Sequence, residues 1–478
     1  MFDTKNFIDT LMGALPISAW SPTPMLGRYF NIGKQFIPYC SEYALMEARF
    51  IVEIEWVQMY SKTVEGKCVP EGERDKLKGL LNAFSPEIYQ NIKKHEKKSN
   101  HDVKAVELAI ADLFEENGLA RLIPYIHIGL TSEDTNNLAY AILWKRIIWE
   151  QILPAEKQLI DKLATLAEKW AGTPMLAHTH GQPATPTTLG KELAVFVDRL
   201  APLYNDLFKI KIEGKLNGAT GNHAALRIAH PHINWEDVSK KFVEERIRVK
   251  WRRISTQVEP HDFIYKIMTN IAHFASIVRK LDTDLWFYNS MKMIKQRVVA
   301  GEVGSSTMPH KVNPIMLENS EGHVKLLIGE IFGFVMGLME SRMQRDLSDS
   351  CMQRYPGEAL MKFCKSLEQT TKFLDKIDPD KKILLDQLKS NWQVLSEAVQ
   401  TCLRALGVRD AYNRLKSLTR GKEINREDIM EFVLKSELHD DPLYDDTFAE
   451  LTPQQYTGYA YNQAVDTANA WFAGDYFK

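Results

Sequence analysis

Ile264, Ile267, Met268, Ile271, Ala275, Val278, Leu281 and Leu285 recur at the helical period and lay one apolar stripe along a single long helix. Nothing in that stretch reads as a strand. A second stripe follows at Val324, Leu327, Ile328, Ile331, Val335 and Leu338, and a third at Ala155, Leu159, Leu163, Leu166 and Trp170, opened by Pro154 near the first turn. Apolar stripes of this length are buried against one another, so the sequence predicts an all-α chain built on a bundle of long helices.

The chain has 478 residues, more than one core normally serves, so two or three domains or one very elongated one are expected. Lys plus Arg (60) nearly cancels Asp plus Glu (62), leaving a formal net charge of -2. That balance lacks the basic footprint of a nucleic-acid binder, so any anionic ligand must meet a local cluster. The five cysteines (Cys40, Cys68, Cys351, Cys364, Cys402) form no CxxC pair, which suggests neither a disulfide framework nor a zinc knuckle and fits a reducing cytoplasm. The early apolar run "LMGALPI" is preceded by Asp3 and Asp9 and broken by Pro16, so no secretory signal is expected. The uncharged stretch 331–339 is far shorter than the roughly 20 residues of a membrane span.

Short polar segments separate the stripes: "HIGLTSEDTNN" from His127, "HTHGQPATPTTLG" from His178, "GKLNGATGN" from Gly214 and "GEVGSSTMPHKVNPI" from Gly301. Loops on rigid helices are where binding and catalytic groups usually sit. The turn leading into Gly129 and the charged "KIDPDKKI" from Lys376 mark domain boundaries, giving 1–129, 130–375 and 376–478. "TRGKEINRED" and the acidic "ELHDDPLYDD" near the end read as solvated surface.

In the serine loop, Asn313 followed by Pro314 reads as a helix cap and first turn, so the loop feeds into the positive end of the next helix, where an anion is favoured. Gly301, Gly304 and Pro309 allow a mobile lid. A serine becomes a base only beside a proton acceptor or a positive field, which Lys311, His310 and the helix end could supply. A capped turn with exposed hydroxyls is the plainer reading of the same composition. His178 and His180 likewise admit a zinc pair, a general acid or a structural role. Neither G-x-x-x-x-G-K-[ST] nor G-x-G-x-x-G nor H-E-x-x-H occurs.

"GSSTMPHKVNP" resembles the signature of the fumarase/aspartase superfamily, lyases that release fumarate by elimination. His310 within it is similar to the residue of adenylosuccinate lyases and carboxymuconate cycloisomerases, where argininosuccinate lyases carry glutamine. "THGQPATP", "NHDVKAVE", "TSEDTNN", "TQVEPHD" and "QRDLSDS" then resemble the longer bacterial adenylosuccinate lyases. The resemblance implies a three-domain, almost wholly helical protein whose long helices join a twenty-helix core in a homotetramer. It implies fumarate elimination from adenylosuccinate to give AMP, and from the succinyl-carboxamide ribonucleotide (SAICAR) to give AICAR, without metal or other cofactor. Ser305 matches the base, with Ser306 as fallback, and His180 the acid. Lys311 and Asn313 match residues that hold the succinyl carboxylates, with Thr131 and Ser132 donating to them. Arg28, Tyr29, Arg345, Ser350 and Arg354 match nucleotide contacts, and Asn100, His101, Asp102, Gln257 and Asn319 further substrate contacts. The alternatives are carboxymuconate cycloisomerase, argininosuccinate lyase, or a non-catalytic structural protein on this fold, as the superfamily's lens crystallins are. The partners expected are small nucleotides and copies of the chain, with no nucleic acid and no membrane.

Overall fold

The computed structural model describes residues 27–65, 70–297, 308, 310–421 and 423–477. Ser305 and Ser306 lie outside the described residues, as do Gly301, Gly304 and Pro309. The three stripes become the helices Asp262–Ser290, Ile315–Leu338 and Leu153–Lys169. Every residue of the first stripe is exposed by 1% or less. Burial of each such Ile or Leu is worth roughly 1.5–3 kcal/mol, so this face alone fixes which way the helix turns.

Two helix starts differ from expectation. Pro154 does not open a helix: Ser132–Ile147 runs through a π-helical turn, Ile148–Ile152, into Leu153–Lys169. Proline has no N–H, and its ring crowds the carbonyl four residues back; the widened π turn accommodates both effects without breaking the rod. The helix after the serine loop begins at Ile315, and the Glu318 N–H bonds the Pro314 carbonyl at 3.3 Å, which puts Pro314 rather than Asn313 at the cap.

Two compact units are distinguished, Met1–Pro154 with Leu207–Ala272 and Lys325–Lys365, and Ala155–Asp206 with His273–Val324 and Ser366–Lys478. In the first, helix Glu42–Glu65 is buried on nearly all sides and packs Phe50, Ile54 and Val57 against Ala105, Val106, Ile110 and Phe114 of helix Asp102–Glu116. The short strands Glu213–Gly214 and Lys250–Trp251 pair in parallel there.

In the second unit the segment from His178, read as a loop, is a β-hairpin. Pro174–Thr179 pairs antiparallel with Gln182–Thr188, and Leu176 packs with Leu388 and Val394. Its two-residue turn is His180-Gly181, both at positive φ (53° and 73°), the conformation whose twist matches a tight hairpin. The "KIDPD" segment supplies the strand Ile377–Pro379, paired with Ile294–Gln296. Near the C-terminus, Asn425 caps helix Arg426–Leu434, accepting from the Asp428 N–H at 2.9 Å. Leu438, inside the acidic run, is buried with Val433 and Phe448, so that run is not wholly solvated surface. Among the described residues no helix is long and apolar enough to cross a membrane.

Candidate active site

Helix Ser132–Ile147 opens beneath the candidate hydroxyls Thr131 and Ser132, and its first turn is the hub of the first unit. The Asp134 carboxylate accepts from the Thr131 N–H at 2.9 Å, the Asn217 N–H at 3.0 Å and the Gly218 N–H at 3.1 Å. Lys215 Nζ lies 2.9 Å from Asp134 Oδ1, and both side chains are 0% exposed. Asn137 grips the Lys215 backbone, accepting from its N–H at 2.8 Å and donating to its carbonyl at 3.0 Å. From the other side, Glu53 accepts from the His127 N–H and from Thr135 Oγ1, fixing the loop ahead of Thr131. One helix start thus holds "TSEDTNN" and "GKLNGATGN" together. Gln257 joins them, donating to the Ala219 carbonyl at 2.9 Å.

The arginines arrive on residues 341–354. Arg345 lies 3.1 Å from Glu133, whose side chain is 1% exposed. Burial raises the Glu133 pKa to about 7, with the Asp349 charge adding to it and Arg345 opposing it. Arg354 donates to Ser350 Oγ at 2.9 Å and to Asp102 Oδ2 at 3.1 Å, while Asp102 also meets the buried Arg49 at 2.9 Å. One carboxylate thus stands between two guanidinium groups at the start of helix Asp102–Glu116, and Glu42 lines the space beside Arg354 as well. Arg49 is itself oriented by Asn136 at 2.8 Å. Planar guanidinium forks in such a frame suit phosphate and carboxylate. A cavity of about 280 Å³ opens beside Arg354, lined also by Gln353, Tyr140 and Trp144.

"NHDVKAVE" is therefore both a helix start and part of the cluster. Asn100 ends the preceding helix in the left-handed conformation (φ 51°), and the His101 ring accepts from the Lys104 N–H at 3.1 Å. Tyr29 lies under the Lys365 ammonium, 5.3 Å from the ring centre, and Arg28 is exposed. His180, Lys311, Asn313 and Asn319 belong to the second unit: His180 is exposed at the hairpin tip, Lys311 is exposed, and Asn313 and Asn319 are half-buried. Among the described residues no group of three or more His, Cys, Asp or Glu side chains is arranged to hold a metal.

Arg49, Glu133, Lys215, Glu259, His261 and Asp349 are the residues that sequence reasoning left without a role. His261 is buried at positive φ (60°) between Glu259 (3.6 Å) and Asp349 (3.5 Å). Burial alone would lower its pKa; the two carboxylates outweigh that and raise it to about 9. The raised value means that His261 binds its proton more tightly folded than unfolded. Its stabilising contribution is present in full below about pH 6.5 and is lost as pH rises through about 9. Urea denaturation across that window is expected to show a fall on the order of 3 kcal/mol, which His261→Gln flattens.

A lyase family model matches residues 39–333, and an adenylosuccinate lyase C-terminal model matches residues 341–457. Adenylosuccinate lyase of Legionella pneumophila (strain Corby) is 39% identical over 442 residues, covering 92% of this chain and 96% of the relative. That of Escherichia coli (strain K12) is 39% identical over 415 residues, covering 86% and 91%. The chain belongs to the adenylosuccinate lyase family. It shares the fold of more distant lyases: a fumarate lyase from Mesorhizobium sp. BNC1 superposes with a TM-score of 0.73 at 16% identity, covering 91% of this chain and 97% of that one. The 3-carboxy-cis,cis-muconate lactonizing enzyme from Pseudomonas putida gives 0.70 at 18% identity, covering 95% and 98%. The all-α bundle read from the stripes and the fumarase-like architecture implied by the resemblance are thereby established. Membership of the adenylosuccinate lyase family also makes the chain a lyase, and it excludes the structural-protein alternative as a family assignment.

Proposed function

We propose that this chain removes fumarate from adenylosuccinate to give AMP, and from SAICAR to give AICAR. The observation that carries the reading is the arginine frame of the first unit, where Arg345 meets Glu133 in the turn that presents Thr131 and Ser132, and Arg354 meets Ser350 and Asp102. A nucleotide phosphate and a succinyl dicarboxylate are the anions that such a frame and such hydroxyls suit. In the reaction, Ser305 takes the proton from the carbon next to a carboxylate. The freed electron pair forms the double bond of fumarate, the C–N bond breaks, and His180 protonates the leaving nitrogen. Lys311, Asn313, Thr131 and Ser132 hold the carboxylates as charge builds on them. Asn100, His101, Asp102, Gln257 and Asn319 complete the substrate contacts, and Arg28 and Tyr29 those to the nucleotide.

The same reading divides the chain at 129 and 375 into three domains. It makes the working form a cytoplasmic homotetramer in which each active site draws on three subunits. Purified protein mixed with adenylosuccinate tests the activity: fumarate should appear as the substrate absorbance falls, and turnover of argininosuccinate or a muconate instead would overturn the assignment. Arg345→Ala should weaken AMP binding at least tenfold by calorimetry, about 1.4 kcal/mol, because it removes a ground-state contact. Unchanged affinity would remove Arg345 from the nucleotide site.

A further inference from the structure

A second cavity, of about 310 Å³ and with a cationic lining, lies in the first unit and contains none of the candidate active-site residues. Lys145, Lys211, Arg248 and Lys250 line it, against one carboxylate, Glu244. Lys250 is paired with Glu213 at 2.5 Å, but no described carboxylate stands within ion-pair distance of Lys145, Lys211 or Arg248. Lys145 is instead anchored on the Arg248 carbonyl at 2.7 Å, at the cavity that both residues line. Partial burial and the Arg248 charge together pull the Lys145 pKa down, the signature of an ammonium lacking an anion.

The cavity has an aromatic wall as well. Trp149 and Phe208 meet edge to face with ring centres 4.9 Å apart, yet remain 48% and 46% exposed. Two π-helical turns, Ile148–Ile152 and Phe242–Ile247, border it, and Arg248 closes the second in the left-handed conformation (φ 62°). Such turns cost regular hydrogen bonding and recur where a site must be shaped. Here they present Trp149 and Arg248 to one space.

We infer that this cavity binds an anion that carries an aromatic ring, the chemistry of a nucleotide phosphate: phosphate oxygens on Lys145, Lys211 and Arg248, the base against Trp149 and Phe208. ATP is the probe, with tripolyphosphate and adenosine as its separated halves. Titrating ATP into the full chain should give a saturable change in tryptophan fluorescence that disappears in Trp149→Phe. Tripolyphosphate should bind at least tenfold more weakly, and adenosine without saturation. Lys211→Glu changes an exposed side chain and should leave the melting temperature in place while raising the ATP dissociation constant at least tenfold; Lys145→Ala should act in the same direction. The assignment is overturned by a Trp149-dependent signal that never saturates, by ATP affinity unmoved in Lys211→Glu, or by tripolyphosphate binding as tightly as ATP.

Discussion

Lys215→Met is expected to lower the unfolding free energy by about 3–5 kcal/mol, read from urea denaturation. The Asp134 carboxylate beneath it is fully buried and is also the acceptor for the backbone N–H groups of Thr131, Asn217 and Gly218. Those three donors cannot leave, so the carboxylate stays in place when its ammonium partner is removed. Nor can the backbone drift to reopen the site to water, because Asn137 clamps the Lys215 main chain in both directions. A buried, uncompensated charge is the result, and such losses cost far more than the net worth of the intact pair. Asp134→Asn in the Lys215→Met background removes the stranded charge while keeping an oxygen acceptor. The double variant should therefore be less destabilised than the two single losses summed. A cost below about 1 kcal/mol for Lys215→Met would mean that the pair does not hold the helix start. Because the same turn presents Thr131 and Ser132, activity should fall with stability.

The helices could be read because their signal is local. The stripe from Ile264 to Leu285 repeats every three or four residues, and each position is buried as the period demands. The family motifs were equally legible, being contiguous. What could not be read depends on partners far along the chain. Arg49 lies in a mostly buried helix and gives no hint of Asp102 or Asn136, 53 and 87 positions later. Glu53 meets Thr135 across a similar gap. The available clue was that Arg49 and Glu53 each interrupt a run of apolar residues, since a buried charge must find a partner. The hairpin around His180 was missed because its strands carry His, Thr and Pro rather than alternating β-branched residues. His180 at positive φ is likewise invisible in composition, although histidine is among the non-glycine residues enriched there, as His127, His223 and His261 also show. Pro154 misled for a different reason: proline permits a helix start but does not require one, and a π turn absorbed it.

Ser305→Ala and His180→Ala are each expected to abolish turnover while leaving substrate binding largely intact, because base and acid act mainly in the transition state. Under the proposed assembly the two residues reach one active site from different subunits. Dissociating the two dead proteins, mixing them and reassembling them should then restore activity. With random sorting in equal amounts, a site needs an intact Ser305 from one chain and an intact His180 from another, and each is intact in half the chains. About a quarter of the sites should work, so activity should recover to about a quarter of the wild-type level. Mixed tetramers, verified by mass, that stay as inactive as their parents would place both residues on one chain, or remove one of them from the chemistry. Substrate titration of the single variants separates those outcomes. A variant that still binds adenylosuccinate at wild-type strength but does not turn it over has lost a reacting group, whereas one that no longer binds has lost a contact.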